Sequence, residues 1–361
     1  MFLYVVPNDI RGKVKKQYTK VIHDVKRGGI MRFLMVDKIC ELERGKRARG
    51  VKNISWDDYF LEEIFPDIPV FSSVVATECI AQLLSWMIQE ARNFTVKPVI
   101  TIVDSYHCTG HIMPGDQLEI EGELESFSEE SVLGHGKALV NGVPVIEIEH
   151  GVGFLYPLAE LDPPERARRQ FENIFVEGFH INRTATRSPD QFVREKSSVA
   201  PKKWFDRIVD NQSAGSIMCI KNVTGTADYL NDHFPLKPVL PGVLILEALI
   251  STARTLVKRL LDEKGLGNKE PVLSGAQKIK FRSFIVPGDQ LVMEGKLLEF
   301  CDDKSRVIVK GLLGGKMAAS IKLDLLHCDE QLYWQTFFPD NQLHDELPYT
   351  SKKVSRVSGI T

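Results

Sequence analysis

Apolar runs of helical length occur twice in the chain. The first covers about residues 74–91 and the second about residues 242–261, and apolar side chains lie on most faces of each predicted helix. A helix that is apolar on most faces is buried inside a protein rather than laid on its surface. The pattern therefore predicts two buried helices, one in each half of the chain.

Strand-like segments surround both predicted helices. Extended segments precede them at about residues 31–54 and 203–224, each followed by a loop rich in Phe and Pro. β-branched residues and partial alternation of apolar and polar positions are typical of strands. Beyond the helices, such runs cover residues 99–103, 118–124, 145–155, 272–281, 291–298, 307–312 and 317–326. Each half is therefore predicted to form an extended segment, a buried helix and an antiparallel meander.

The two halves also repeat each other in sequence. Residues 61–70 align with residues 230–239, and after a short slip the run Pro-Gly-Asp-Gln-Leu at 114–118 returns at 287–291. Several matches in one order, roughly 170 residues apart, indicate a duplicated domain. The segment between the copies carries Pro163-Pro164 and phenylalanines at helical spacing, so we expect it to pack along the outside of the fold.

This organisation predicts five parts. They are an N-terminal extension (1–30), a first domain (31–158), a linker (159–202), a second domain (203–330) and a polar C-terminal tail (331–361) that is expected to fray.

Composition and charge exclude several classes of function. The chain has 361 residues with a formal net charge of -2, which gives no global attraction to nucleic acid or to an acidic membrane. Six cysteines at long intervals, with no CxxC pair, predict reduced thiols and a cytoplasmic protein. No apolar run is long enough for membrane insertion. His107, Cys108 and His111 could suggest metal ligands, but without a nearby carboxylate a structural role is expected and no metal is predicted.

The most specific motif lies at the start of the second predicted helix. His233-Phe234-Pro is followed by Pro241-Gly242 and then by Glu247, fourteen residues after the histidine. This segment closely resembles the signature of the 3-hydroxyacyl-[acyl-carrier-protein] dehydratases of fatty acid synthesis, whose Pro-Gly-Asp-Gln run is present in both copies. The resemblance covers roughly residues 31–157 and 203–327.

The resemblance implies an α+β fold in which an antiparallel sheet wraps a central helix, the hot-dog fold. Two such units pair into one continuous sheet, so a duplicated chain is expected to form a double hot dog. The implied substrate is a 3-hydroxyacyl thioester on acyl carrier protein, in fatty acid or polyketide-like synthesis, with no cofactor. The paired units of the family also make a homo-oligomer compatible with this sequence.

Elimination of water needs a base at C2, an acid for the departing 3-hydroxyl and a donor to the thioester oxygen. His233 titrates near neutrality and can be the base, although a histidine in such a loop, by spacing alone, is most often only a loop residue. A carboxyl group in an apolar helix is pushed toward its protonated form and can be the acid. Pro241-Gly242 begins a helix whose N–H groups can meet the oxygen.

The two copies have lost different parts of this set. The first copy has Ile64 in place of His233 and Ser72-Ser73 in place of Pro241-Gly242. It keeps an acid at Glu78 and a glutamine one turn later at Gln82, where the second copy has Glu247 and Ser251.

In the family, the histidine and the acid of one site come from different units. We therefore expect one composite site with His233, Glu78 and Gly242 as catalytic residues. The supporting residues are expected to be Gln82, Glu247, Phe234 and Pro241.

Two further functions remain open on the sequence. The missing histidine of the first copy favours a non-catalytic acyl-binding or assembly subunit of a synthase. A thioesterase on the same fold would need an acid or Asn that directs water onto the carbonyl, and it ranks last. Lys278, Lys280 and Arg282 alternate before Pro287, which would put them on one strand face as a dock for acidic carrier protein. A solvated strand face explains that row equally well.

Overall fold

The computed structural model describes residues 33–56, 58–65, 68–181, 204–210 and 215–337. The predicted N-terminal extension and most of the predicted tail lie outside the described residues, and so does the linker beyond residue 181. The boundaries of the five parts stay predictions.

The described chain forms long strands and a few helices. The strands are β1 (Lys38–Glu43), β2 (Arg47–Asn53), β3 (Leu61–Glu63), β4 (Pro69–Phe71), β5 (Val96–Cys108), β6 (Gln117–Phe127), β7 (Ser131–Val140), β8 (Val143–Pro157), β9 (Arg207–Asp210), β10 (Ser216–Asn222), β11 (Glu270–Phe281), β12 (Gln290–Phe300), β13 (Lys304–Leu313) and β14 (Lys316–Cys328). The helices are α1 (Ser73–Ala91), α2 (Leu158–Leu161), α3 (Pro164–Ile174), α4 (Gly242–Glu263) and α5 (Glu330–Phe337), with a 3₁₀ turn at Asp228–Asn231.

Twelve of these strands form one antiparallel sheet in the order β1-β2-β6-β7-β8-β5-β11-β14-β13-β12-β10-β9. Each copy supplies six consecutive strands, and the copies join where β5 pairs with β11, with Tyr106 opposite Ala276. β3 and β4 form a separate hairpin in the first copy. The repeated arrangement confirms the predicted α+β fold, with two hot-dog units paired into a continuous sheet.

The two long helices are the centre of each unit. α1 packs on strands of the first copy, α4 on strands of the second, and the helices also contact each other. Their apolar side chains belong to one hydrophobic cluster that runs through both copies, and Leu83 of α1 and Leu249 of α4 are fully buried. The prediction of two buried helices is confirmed, and their observed ends differ from the predicted ends by at most two residues.

Strand β7 was absent from the sequence prediction. Its apolar pattern is interrupted by glycines, which weaken the strand signal. The structure shows why Gly136 is there: a Cβ at this position would clash with Ile80 Cγ2 of α1. A Cβ at Gly122 of β6 would likewise lie 2.7 Å from Leu84 Cδ2. These glycines let the central helix approach the sheet closely.

The segments after each copy pack onto the fold. The described part of the linker forms α2 and α3, where Phe171 is buried against Trp86 and Phe94, as the helical spacing predicts. After the second copy, the chain forms α5 with Tyr333 fully buried, so the prediction of a frayed tail is wrong for residues 331–337. In the part of the chain that the structure describes, we find no helix that is both long and apolar enough to cross a membrane.

Candidate active site

A cavity of about 310 Å³ lies between the two central helices, with walls from both copies. The first copy contributes Glu78 and Gln82 from α1, and the second contributes His233, Phe234 and Gly242. The structure therefore brings these five sequence-predicted site residues to one cavity. Much of the remaining wall is apolar, from residues such as Leu246, Ile250, Leu273, Ile279 and Ile321.

His233 lies in the loop between the 3₁₀ turn and α4. Its Nδ1 is 3.2 Å from the carbonyl oxygen of Val239, and the Val239 N–H donates to the His233 carbonyl oxygen at 2.9 Å. Because a carbonyl oxygen only accepts hydrogen bonds, this contact assigns the neutral ring's proton to Nδ1 and leaves Nε2 as an acceptor. The ring stacks on Phe234 and meets Phe33 edge-on. Burial, and then the positive charge of Lys97, lower the pKa of His233 to about 4.

Glu78 has the opposite shift. Burial raises the pKa of its carboxyl group to about 7, against the opposing effects of Gln82 and Lys97. Gln82 Nε2 donates to Glu78 Oε1 at 2.9 Å and to the Phe33 carbonyl oxygen at 3.2 Å, while Gln82 Oε1 accepts from the Met35 N–H at 2.9 Å. The amide is thus held from both ends. The Gln82 amide occupies Glu78 Oε1, which leaves Glu78 Oε2 to carry the proton of the neutral acid.

The N-terminus of α4 supplies the third part of the site. Pro241 precedes the helix and offers no side-chain cap. Its carbonyl oxygen accepts from the Leu244 and Ile245 N–H groups, which leaves the Gly242 and Val243 N–H groups without a partner within the helix. Gly242 begins the helix in a confined position, since a Cβ there would lie 3.2 Å from Phe281 Cζ. A small, uncapped helix start with its positive dipole end at a cavity is suited to receive a partly negative oxygen.

In the first copy, a side chain caps the N-terminus of the equivalent helix, α1. Ser72 caps α1 by accepting the Val75 N–H at 3.2 Å, and its hydroxyl donates to Glu247 Oε1. Glu247 is buried and is not among the residues that line the first cavity. The structure thus places two predicted supporting residues differently: Pro241 stands at the start of α4 beside the cavity, whereas Glu247 belongs to the region around Ser72.

The α5 helix covers the region around Ser72 and Glu247, which we call the second region. Tyr333 packs against Phe65 and His111 with ring centroids 5.0 Å away in both cases, and Phe337 lies 4.5 Å from His111. Nearby, Arg254 of α4 pairs with Glu62 at 3.2 Å. Ile64, which stands in place of His233, lines a second cavity together with Arg254 and Thr255, and Glu247 does not line that cavity either.

Several charged residues at the cavity escaped the sequence prediction. Lys97 lies with its Nζ 4.8 Å from the centre of the Phe234 ring, and burial lowers the pKa of its amine. Arg166 bridges Asp162 and Asp232 at the same cavity wall. A signal existed for Lys97: the runs Lys97-Pro-Val and Glu270-Pro-Val occupy equivalent strands and differ in charge.

The predicted basic row is not a regular strand face. Lys278 has a φ of 54° at a bulge between β11 and β14, so its side chain and that of Gln277 are both exposed. Lys280 is half-buried. Arg282 follows the end of β11 and lines the cavity.

Two of the three residues that were considered as metal ligands, Cys108 and His111, have structural contacts. His111 packs in the aromatic cluster with Tyr333, and the Cys108 thiol donates to the Gly110 carbonyl oxygen at 3.4 Å. Among the described residues, no group of three or more His, Cys, Asp or Glu side chains is arranged to hold a metal ion.

Comparisons with known proteins agree with the duplication. The FabA-like domain family matches the chain twice, over residues 30–149 and 203–321. The 3-hydroxyacyl-[acyl-carrier-protein] dehydratase FabZ of Streptococcus equi subsp. zooepidemicus is 42% identical over 120 residues, which are 33% of this chain and 83% of that relative. The FabZ of Streptococcus sanguinis is 40% identical over the same length and shares of the two chains.

A solved structure supports the fold over both copies together. The oleoyl thioesterase structure from Lactobacillus plantarum covers 79% of this chain and 98% of its own, with a TM-score of 0.50 and 10% sequence identity. At this identity the likeness concerns the fold alone.

Proposed function

Since this chain belongs to the FabA-like domain family, we propose that it removes water from a 3-hydroxyacyl thioester and forms the trans-2-enoyl thioester. The observation that carries the proposal is the meeting of His233 and Glu78, from different copies, at one cavity. Their pKa values are shifted in the directions that a base and an acid need. The substrate is proposed to come from fatty acid or polyketide-like synthesis.

The reaction uses the three groups as follows. His233 Nε2 takes the proton from C2, and the electron pair of that C–H bond forms the C2–C3 double bond. The bond between C3 and its hydroxyl oxygen breaks, and Glu78 supplies the proton that makes the leaving group water. The N–H groups at the start of α4, beginning with Gly242, stabilise the negative charge on the thioester oxygen. Returning the proton from His233 to Glu78 restores the starting state.

The first test compares two equivalent acids. Purified protein is incubated with 3-hydroxyacyl thioesters, and loss of water is followed by mass spectrometry. Glu78→Gln removes the proton donor, so we expect turnover to fall by about 10²–10⁴-fold. Glu247→Gln is the matched control, because this residue bonds Ser72 away from the cavity; it should mainly change stability.

Other outcomes of this test have clear meanings. Loss of turnover in Glu247→Gln but not in Glu78→Gln would contradict the proposed pairing of the copies. Release of the free acid would indicate a thioesterase. Tight binding of the thioester by the wild-type protein with no change in its mass would indicate an acyl-binding subunit.

We further propose acyl carrier protein as the partner that presents the substrate. Carrier proteins are acidic, and the exposed Lys278 lies four residues before Arg282, which lines the cavity. Lys278→Glu, which reverses a charge outside the cavity wall, should raise KM for the carrier-linked substrate, and the effect should weaken as salt is added. A small thioester analogue is the control and should be turned over as before. Equal losses on both substrates would point to damage to the cavity instead.

A further inference from the structure

The segment that joins the two copies contacts the loop that carries His233. The Leu236 N–H donates to the Leu161 carbonyl oxygen at 3.0 Å. The Leu161 side chain is fully buried and forms a small hydrophobic cluster with Phe234 and Val239. Thus α2, which follows the last strand of the first copy, packs under the histidine loop of the second copy.

An ion-pair network strengthens this contact. One guanidinium nitrogen of Arg166 in α3 lies 2.9 Å from each carboxylate oxygen of Asp162, and the other lies 2.5 Å from Asp232 Oδ1. The side chains of Asp162 and Asp232 are only 5% and 7% exposed. Buried carboxylates need a partner, and a planar guanidinium that bonds two of them fixes their positions relative to each other.

Asp232 immediately precedes His233 in the chain. The Arg166 contact therefore holds the loop on one side of the histidine, while the Val239 carbonyl oxygen orients the imidazole from the other side. The loop of the first copy differs. Its residue equivalent to Asp232 is Glu63, which is exposed and makes no ion pair with any residue that the structure describes. The network is thus placed at the loop that carries the histidine.

We propose that Arg166 is a positioning residue: together with Asp162 and Asp232, it holds the His233 loop so that the imidazole stays aligned in the cavity. The inference rests on the proposed role of His233 as the base. It gives the joining segment a task beyond connecting the copies, since the end of one copy sets the geometry of a catalytic loop in the other.

The test compares two arginines on the same helix. Arg166→Met breaks the network, and misplacement of a base by about 1 Å can cost about 10²-fold in rate. We therefore expect kcat to fall by about 10–100-fold with little change in KM. Arg168→Met is the matched control, because Arg168 bonds Asn93 and stacks on Phe94, both in the first copy. Its kcat should stay within about twofold of wild type. Arg166→Lys keeps the charge without the fork and should recover part of the loss.

A second measurement does not depend on turnover. The imidazole resonance of His233 is assigned in histidine-labelled protein with a His233→Asn variant. We expect one narrow signal in the wild type and in Arg168→Met, and a broadened or multiple signal in Arg166→Met. If no thioester is dehydrated by the wild type, the proposed function fails, while these spectra still decide whether Arg166 positions the loop.

A further variant covers the case in which Arg166→Met does not fold. Asp232→Asn keeps the shape of the side chain and removes its charge, so it should also reduce kcat and broaden the His233 signal. In folded protein, a variant that carries both Arg166→Met and Asp232→Asn should have a kcat no lower than that of the more impaired single variant, because both changes break the same contact. The proposal is overturned if Arg166→Met and Asp232→Asn leave kcat and the spectrum unchanged, or if Arg168→Met causes the same losses.

Discussion

At the residue scale, the opposite pKa shifts of His233 and Glu78 define a window of pH for activity. The base works only when His233 is deprotonated, above its pKa of about 4. The acid works only when Glu78 is protonated, below its pKa of about 7. We therefore expect kcat/KM to rise with pH through about 4, to be highest between the two values and to fall through about 7. Initial rates of water loss across this range would measure it.

Lys97 provides a check on the physical cause of that profile. Its positive charge lowers the pKa of both His233 and Glu78, so Lys97→Met should move both limbs of the profile to higher pH. Lys97→Arg keeps the charge and serves as the control, with limbs close to those of the wild type. A profile that stays in place in Lys97→Met would show that the charge of Lys97 does not set these pKa values.

At the element scale, the two equivalent helix starts have diverged. Ser72 caps α1, whereas α4 begins without a side-chain cap and leaves its first N–H groups for another acceptor. A cap such as Ser72 stabilises a helix by about 1 kcal/mol, and α4 forgoes this contribution. The difference is consistent with one helix start that serves the fold and one that serves a ligand.

The α5 helix has its own testable role as the cover of the second region. Tyr333 is fully buried against Phe65 and His111, so Tyr333→Ala should lower the free energy of unfolding by about 3–5 kcal/mol. Dehydration by the folded variant should persist, because Tyr333 does not line the first cavity. Leu332→Ala on the same helix is the control: Leu332 is 41% exposed, and the expected change is within about 0.5 kcal/mol. Urea unfolding measures both variants, and equal losses would contradict the proposed cover.

At the scale of the whole molecule, one sheet and one hydrophobic cluster join the copies, yet the two site regions are unequal. We expect one ligand to bind per chain, in the cavity of His233 and Glu78. Titration calorimetry with a saturated acyl-pantetheine amide, which has no 3-hydroxyl group to eliminate, would count the sites. Two equivalents per chain would show that a second site, such as the cavity beside Ile64 and Arg254, also binds acyl groups.

Much of the architecture could be predicted because it depends on local periodicity and on repetition. The apolar runs predicted α1 and α4, the aligned repeats predicted a duplicated domain, and the resemblance to the dehydratase family implied that the two units pair. The same alignment showed that Ile64 and Ser72 depart from the pattern of His233 and Pro241, before any contact was known. β7 was missed because its inward positions include glycine, whose place is explained only by the helix packed above it.

The tertiary structure decided how distant residues meet. The sequence by itself determined the duplication and the two buried helices, since repetition and burial patterns are local properties of a chain, and its resemblance to the dehydratase family implied the hot-dog fold and the candidate base and acid. It did not show that Lys97 faces Phe234, or that Arg166 joins Asp162 to Asp232, because these contacts connect strands, helices and loops far apart in sequence. Charge pairing of this kind depends on side-chain positions in the folded molecule, and no periodicity along the chain encodes it.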